Sequence, residues 1–150
     1  MKTRISAVPQ DNVLIINSGG YCNVSLFKNV VEIESRENNE KQYEADIVSF
    51  SVKEISKEQV LAHFDWYWDK AIAKDLERAK AYKITELQHV LAKTDYEAIK
   101  FSEGVISTES YAEMGAARAA WRKAINDIEA CKTVSEVESV SFSLKIPKIN

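Results

Sequence analysis

The period of the hydrophobic pattern changes twice along this chain. The first third alternates with period two. Residues 12–16 (NVLII) form a short apolar run, and Asn17-Ser18-Gly19-Gly20 follows as a turn, because glycine accepts positive φ without a steric penalty. Residues 21–35 (YCNVSLFKNVVEIES) are rich in β-branched and aromatic side chains. Their alternation changes phase near Lys28-Asn29, which calls for a bulge or a turn there. Glu37-Asn38-Asn39-Glu40 reads as the next turn. Residues 43–53 then place Val48, Phe50 and Val52 on one face and Ser49 and Ser51 on the other, the pattern of a half-buried antiparallel strand. The pattern predicts a meander of about three strands.

At Ser56 the period becomes helical. Ser56 and Gln59 form a capping box, and Ile55 and Val60 bracket it as a hydrophobic staple. Val60, Leu61, Phe64, Trp68, Ile72, Leu76, Ala79, Leu87 and Leu91 approximate one stripe, whose register loosens around residues 81–85, so a bend or break is expected there. Unbroken, the segment is about 36 residues, roughly 54 Å at 1.5 Å per residue, which suggests a helical projection or a hairpin. A second box, Thr94 to Glu97, predicts a short helix that Gly104 ends with a left-handed cap. Ser107 or Thr108 caps a longer helix in which Tyr111, Met114, Arg118, Trp121, Ile125 and Ile128 share a face. Thr133 to Glu136 opens one last turn.

The last change is back to period two. Val140, Phe142, Leu144 and Ile146 alternate with Ser141, Ser143 and Lys145, and Pro147 stops the run. This predicts a strand that either returns to the N-terminal sheet or joins a sheet in another molecule, with the internal return favoured because an exposed apolar strand invites aggregation. The expected class is α+β: a small N-terminal antiparallel sheet (residues 1–55), a long helix and helical hairpin (56–138), and a returning strand with its tail (139–150).

Composition narrows the function classes. The formal net charge is −3, with six basic and eight acidic residues before Lys57 and fourteen and fifteen from there on. Neither half is basic, so no nucleic-acid partner is expected. No apolar run is long enough to span a bilayer and the N-terminus lacks an apolar signal core, so no membrane partner is expected. Two cysteines far apart, Cys22 and Cys131, read as free buried thiols in a reducing compartment.

Candidate chemistry is sparse. His63 and His89 lack partners at metal-ligand spacing, and no metal or other cofactor is expected. Asp65 with Asp69, or Glu97 with Glu103, could supply paired carboxylates for acid–base work, but charged helix surface is the commoner origin of such pairs. Asp65-Trp66-Tyr67-Trp68-Asp69 is the densest aromatic cluster. Three successive helical residues span about 200°, so one face cannot bury all three rings. Trp68 fits the stripe. Trp66, with Tyr67, either packs under the sheet or anchors a protein contact. Arg118 shares the Tyr111–Ile128 register, which expects a buried stem and a carboxylate for its head. Alanines at 116, 117, 119, 120 and 124 keep that helix slim, for an intramolecular hairpin or a self-associating bundle.

Thr94-Asp95-Tyr96, Ala98-Ile99-Lys100, Glu103-Gly104, Tyr111, Arg118, Trp121-Arg122 and Ile125-Asn126, continued by Thr133-Val134-Ser135-Glu136-Val137, resemble a C-terminal helical region of small tail-module proteins of tailed bacteriophages, tail-fibre assembly proteins among them. The resemblance spans roughly residues 84–137. It implies a non-enzymatic structural or adaptor role in tail, baseplate or fibre, in the host cytoplasm during assembly and in the virion if structural. Its partners would be further copies of the chain and other tail or fibre proteins. No catalytic residue carries over. The expected contact residues are Trp66, Tyr67, Tyr111, Met114, Arg118, Trp121, Ile125, Val140, Phe142, Leu144 and Ile146. Fibre-assembly proteins often finish near an acidic residue, Trp and Pro, whereas this chain finishes Ile146-Pro147-Lys148-Ile149-Asn150. That favours a structural component over a transient fibre chaperone, with a small carboxylate-using enzyme as a third reading.

Overall fold

The computed structural model describes residues 2–34 and 41–149, and the chain is an α+β protein of two compact units, residues 1–73 and 74–150. The predicted turn at Glu37-Asn38-Asn39-Glu40 lies outside the described residues.

In the first unit, β1 (Lys2–Ile5), β2 (Val13–Ser18), β3 (Tyr21–Glu34) and β4 (Lys41–Val52) form one antiparallel sheet in the order β1-β4-β3-β2. The predicted meander is β2-β3-β4. Strand β1 adds to β4 at the far edge, and its four residues are too short and too exposed to announce themselves by alternation. Gly19 and Gly20 both have positive φ (59° and 80°) and join Ser18 to Tyr21, the two-residue turn that matches strand twist. The phase change near Lys28 is a bulge inside β3 rather than a turn. The register shifts between Lys28 and Val31, Asn29 has φ of 52°, and its amide donates to Asp46 at 2.8 Å.

One face of this sheet carries Val24, Leu26 and Val48, with Val13 beside them. Helix α1 (Lys57–Ala62) and the first turns of α2 (Phe64–Lys93) close it with Val60, Trp68 and Ala71. The capping box is formed: the Gln59 N–H donates to Ser56 Oγ at 3.2 Å, and the Ser56 N–H donates to Gln59 Oε1 at 2.9 Å. The opposite face carries a polar ladder, Ser25 to Ser49 at 2.9 Å and Ser51 to Asn23 at 2.6 Å.

Helix α2 does not break at residues 81–85. The interruption comes earlier, at His63, which ends α1 with its N–H on Val60 O. The loosened stripe marks a change of packing partner. Trp68 and Ala71 meet the sheet cluster, whereas Leu87 and Val90 belong to a second core. A helix that serves two cores presents two apolar faces, and one stripe cannot describe both.

The second unit adds α3 (Asp95–Ser102), α4 (Thr108–Ala130) and α5 (Val134–Ser139). Trp121, Ala124 and Ile128 of α4 pack on Leu87 and Val90 of α2, with Val137 of α5, so the hairpin is intramolecular. Ser107 caps α4, and Thr133 with Glu136 closes the box on α5. Gly104 (φ 74°) ends α3 in a Schellman motif, with Val105 N–H on Lys100 O at 2.8 Å and Gly104 N–H on Phe101 O at 3.1 Å.

Two expectations for this unit are corrected. Thr94 precedes α3 but makes no side-chain cap; its hydroxyl turns back to Val90 O and Leu91 O at 2.9 and 3.0 Å. Residues 140–149 form no strand. Val140 and Phe142 pack half-buried on the second core, and the backbone carbonyls are met by side chains instead of a ladder. Trp121 Nε1 donates to Ser143 O at 2.7 Å, and Lys83 Nζ donates to the carbonyls of Val137, Glu138 and Val140 at 2.7, 3.0 and 2.8 Å.

Candidate protein-contact site

Helix α4 uses its apolar face inward. Met114, Arg118 and Trp121 are buried inside the second unit, and Ile125 is half-buried there. Arg118 does place its head on a carboxylate. Nη2 donates to Asp95 at 2.6 Å, while Nη1 donates to Leu91 O at 2.8 Å and to Thr94 Oγ1 at 2.5 Å. The Thr94 hydroxyl is thus directed to two α2 carbonyls and to Arg118 rather than to the N–H groups of α3. Tyr111 stacks on Phe101 with ring centroids 4.3 Å apart. Gly115 permits that pose, since a β-carbon there would lie 3.3 Å from the Tyr111 ring.

In the first unit, Tyr67 stacks on Phe50 of β4 at 5.4 Å. Trp66 does not go under the sheet. It is 55% exposed, meets Tyr67 edge-on at 4.8 Å, and has Lys70 Nζ 5.0 Å from its ring centroid. At the C-terminal end Leu144 and Ile146 remain exposed. The sequence-derived contact residues therefore divide: Met114, Arg118 and Trp121 lie within a core, and Trp66, Leu144 and Ile146 face solvent.

The surface that the residue pattern did not single out is α3. None of its residues is buried. Tyr96 and Ile99, three apart and so on one side, are 64% and 52% exposed; Val105, at the C-terminal end of α3, is 68% exposed. A Schellman motif commonly tucks its C″ residue against C3. Here C3 is Lys100, whose ammonium lies 4.2 Å from the Tyr96 ring centroid, and Val105 is left in water. The available signal in the sequence was a short helix, DYEAIKFS, whose apolar residues match no facing stripe.

The carboxylates give a different picture from a catalytic pair. Asp65 is solvent-exposed and paired with Lys28 at 2.6 Å. Lys28 also sits over the Phe64 and Trp68 rings, 5.5 and 4.8 Å from their centroids. Glu97 lines a cavity of about 380 Å³ with Lys93, Met114, Lys148 and Ile149, and its Oε2 is buried. Glu103 is not among the residues described around that cavity, so the two are not brought together there. Among the described residues, no group of three His, Cys, Asp or Glu side chains is placed to hold a metal, and both cysteines are free and half-buried.

Displaced titrations lie on the first unit. The Lys57 ammonium holds Asp11 below the usual carboxylate range, Asn29 does so for Asp46, and its own backbone N–H with the Ser56 hydroxyl does so for Glu58. Glu32 raises Lys41. These are hydrogen-bonded surface groups. Among the described residues no helix is long and apolar enough to cross a membrane. Compared with protein-family models, curated proteins and solved structures, the chain matches none.

Proposed function

We propose that this chain is a non-catalytic protein-contact module, and that it serves as a structural or adaptor component of a bacteriophage tail, baseplate or fibre. The contact reading is carried by α3, a helix with no buried residue that presents Tyr96 and Ile99 to solvent, with Val105 exposed just beyond its end. Aromatic and aliphatic groups exposed together, with a lysine held over the ring, suit a contact whose anchor loses water while its rim stays polar. The tail assignment is supported by the resemblance over residues 84–137. In that stretch Arg118 and Trp121 hold the helices together and Tyr96-Ile99 faces outward, an arrangement that suits a scaffold presenting a recognition helix.

The test is mass spectrometry of purified tailed particles from cells carrying this gene, with wild type beside Tyr96→Asp/Ile99→Asp. Both sites are exposed, so folding should survive, which circular dichroism checks. The wild-type chain should co-purify with the particle, and the variant should fall at least about tenfold, as loss of a binding hot spot requires. A chain found only in unassembled complexes would instead make it a transient chaperone. Equal incorporation of the variant would remove α3 as the contact.

A further inference from the structure

The two edges of the sheet are built differently. Strand β1 carries Lys2 and Arg4, both exposed, and charge on an edge discourages a further strand. Strand β2 reads Val13-Leu14-Ile15-Ile16-Asn17-Ser18 and carries no charge. Its register with β3 is Ser18↔Tyr21, Ile16↔Asn23 and Leu14↔Ser25. Ser18 and Tyr21 flank a two-residue turn and so exchange hydrogen bonds. By alternation, Ile16 and Leu14 also direct their N–H and C=O groups to β3. The Phe27 N–H on Asn12 O at 3.0 Å continues that parity. Val13, Ile15 and Asn17 therefore direct theirs to the open side. Among the described residues, no backbone bond outside the β2–β3 ladder involves Ile15 or Asn17.

Side chains on this edge point the same way. On the polar face of the sheet, Leu14 lies beside Ser25 and Ser49, and Ile16 beside Asn23 and Ser51. Leu14 is 40% and Ile16 54% exposed, two aliphatic groups in water at the rim of a hydrogen-bonded serine–asparagine ladder. The other face of β2 belongs to the core, where Val13 packs with Val60.

We propose that β2 pairs antiparallel with β2 of a second copy of this chain, about a two-fold axis through Ile15. In that register Ile15 exchanges two hydrogen bonds with its mate, and each Asn17 N–H donates to the other copy's Val13 carbonyl. Leu14 then faces Ile16 of the other copy, twice, at non-hydrogen-bonded positions where side chains approach most closely. An identical strand is the occupant that fits. It meets no like charge, and it covers Leu14 and Ile16 on both sides of the axis with the same pair, as isologous contacts require. This contact is independent of α3.

Sedimentation velocity of the full chain across a dilution series tests the pairing, with two double variants at the exposed positions. Wild type should show a concentration-dependent monomer–dimer equilibrium. Leu14→Lys/Ile16→Lys sets lysine against lysine across the axis and should weaken the dimer at least about tenfold. Leu14→Lys/Ile16→Glu instead sets each introduced lysine against the introduced glutamate of the mate and should restore the dimer in low salt. A wild-type monomer at every concentration overturns the proposal. So does a double-lysine variant that dimerises as tightly as wild type, or equal behaviour of the two variants.

Discussion

At the scale of single residues, Arg118 organises the second unit. Its side chain is 6% exposed, while its ionic partner Asp95 is 59% exposed. The burial cost falls on the arginine, and the compensation comes from three acceptors on the α2–α3 junction. Breaking a buried hydrogen-bonded charge from one side strands the groups left behind. Arg118→Met keeps the stem volume but removes the donor to Thr94 Oγ1 and one of the donors to Leu91 O, which keeps the Thr94 N–H and hydroxyl. It should cost about 2–4 kcal/mol in urea unfolding. Asp95→Asn, acting at the exposed end, should cost at most about 1 kcal/mol. Equal losses for the two would mean that the ion pair, not the buried donors, holds the junction. Lysine is not equivalent at this position, since it lacks the two separate terminal nitrogens with which Arg118 meets Asp95 on one side and Leu91 O and Thr94 Oγ1 on the other.

Among elements, α5 and the segment after it depend on Lys83. A helix of six residues has no independent stability, and its last carbonyls lack intrahelical partners. The Lys83 ammonium meets two of them, Val137 and Glu138, and Val140 beyond. Lys83→Met preserves the stem and removes the donors. The expected outcome is faster hydrogen exchange and protease cleavage across residues 134–146, with α4 still protected; unchanged protection there would assign the docking to Phe142 and Val140 alone. This element also shows what the sequence can and cannot say. The boxes at Ser56 and Thr133, the Ser107 cap and the Gly104 stop were legible because they depend on residues three or four apart. The alternation from Val140 to Ile146 was real, with Val140 and Phe142 turned inward. But alternation states only that one side is apolar, not whether a strand or a helix pair covers it. Thr94 misled for a related reason: a capping sequence is local, and Arg118, twenty-four residues on, is not. The α3 surface was illegible because exposure is the absence of a partner, which no pattern within one helix records.

For the whole molecule, the displaced titrations set a pH window. Asp11, Asp46 and Glu58 are held below the usual carboxylate range by Lys57, by Asn29, and by the backbone N–H of Glu58 with Ser56. A carboxylate whose folded pKa lies below its unfolded value contributes stability above the unfolded pKa, about 4, and that stability is lost as pH falls through the folded pKa. Lys41 works in the opposite direction: raised by Glu32, it contributes below an unfolded pKa of about 10.4 and loses this as pH rises through the folded value. Stability should therefore be flat from about pH 5 to about pH 10 and decline on both sides. The three carboxylates belong to residues 1–73, so their share of the acid loss should appear in the first unit. Backbone amide resonances followed by NMR from neutral to acid pH can separate the units, because β2–β4 and α4 report independently. The variant Asp11→Asn/Asp46→Asn/Glu58→Gln should lower sheet stability at neutral pH and flatten its slope below about pH 5, leaving the α4 profile unmoved. An unaltered acid slope for the sheet in that variant would mean that these three carboxylates do not set it, and the loss would then have to come from the remaining charges of a chain whose formal net charge is already −3.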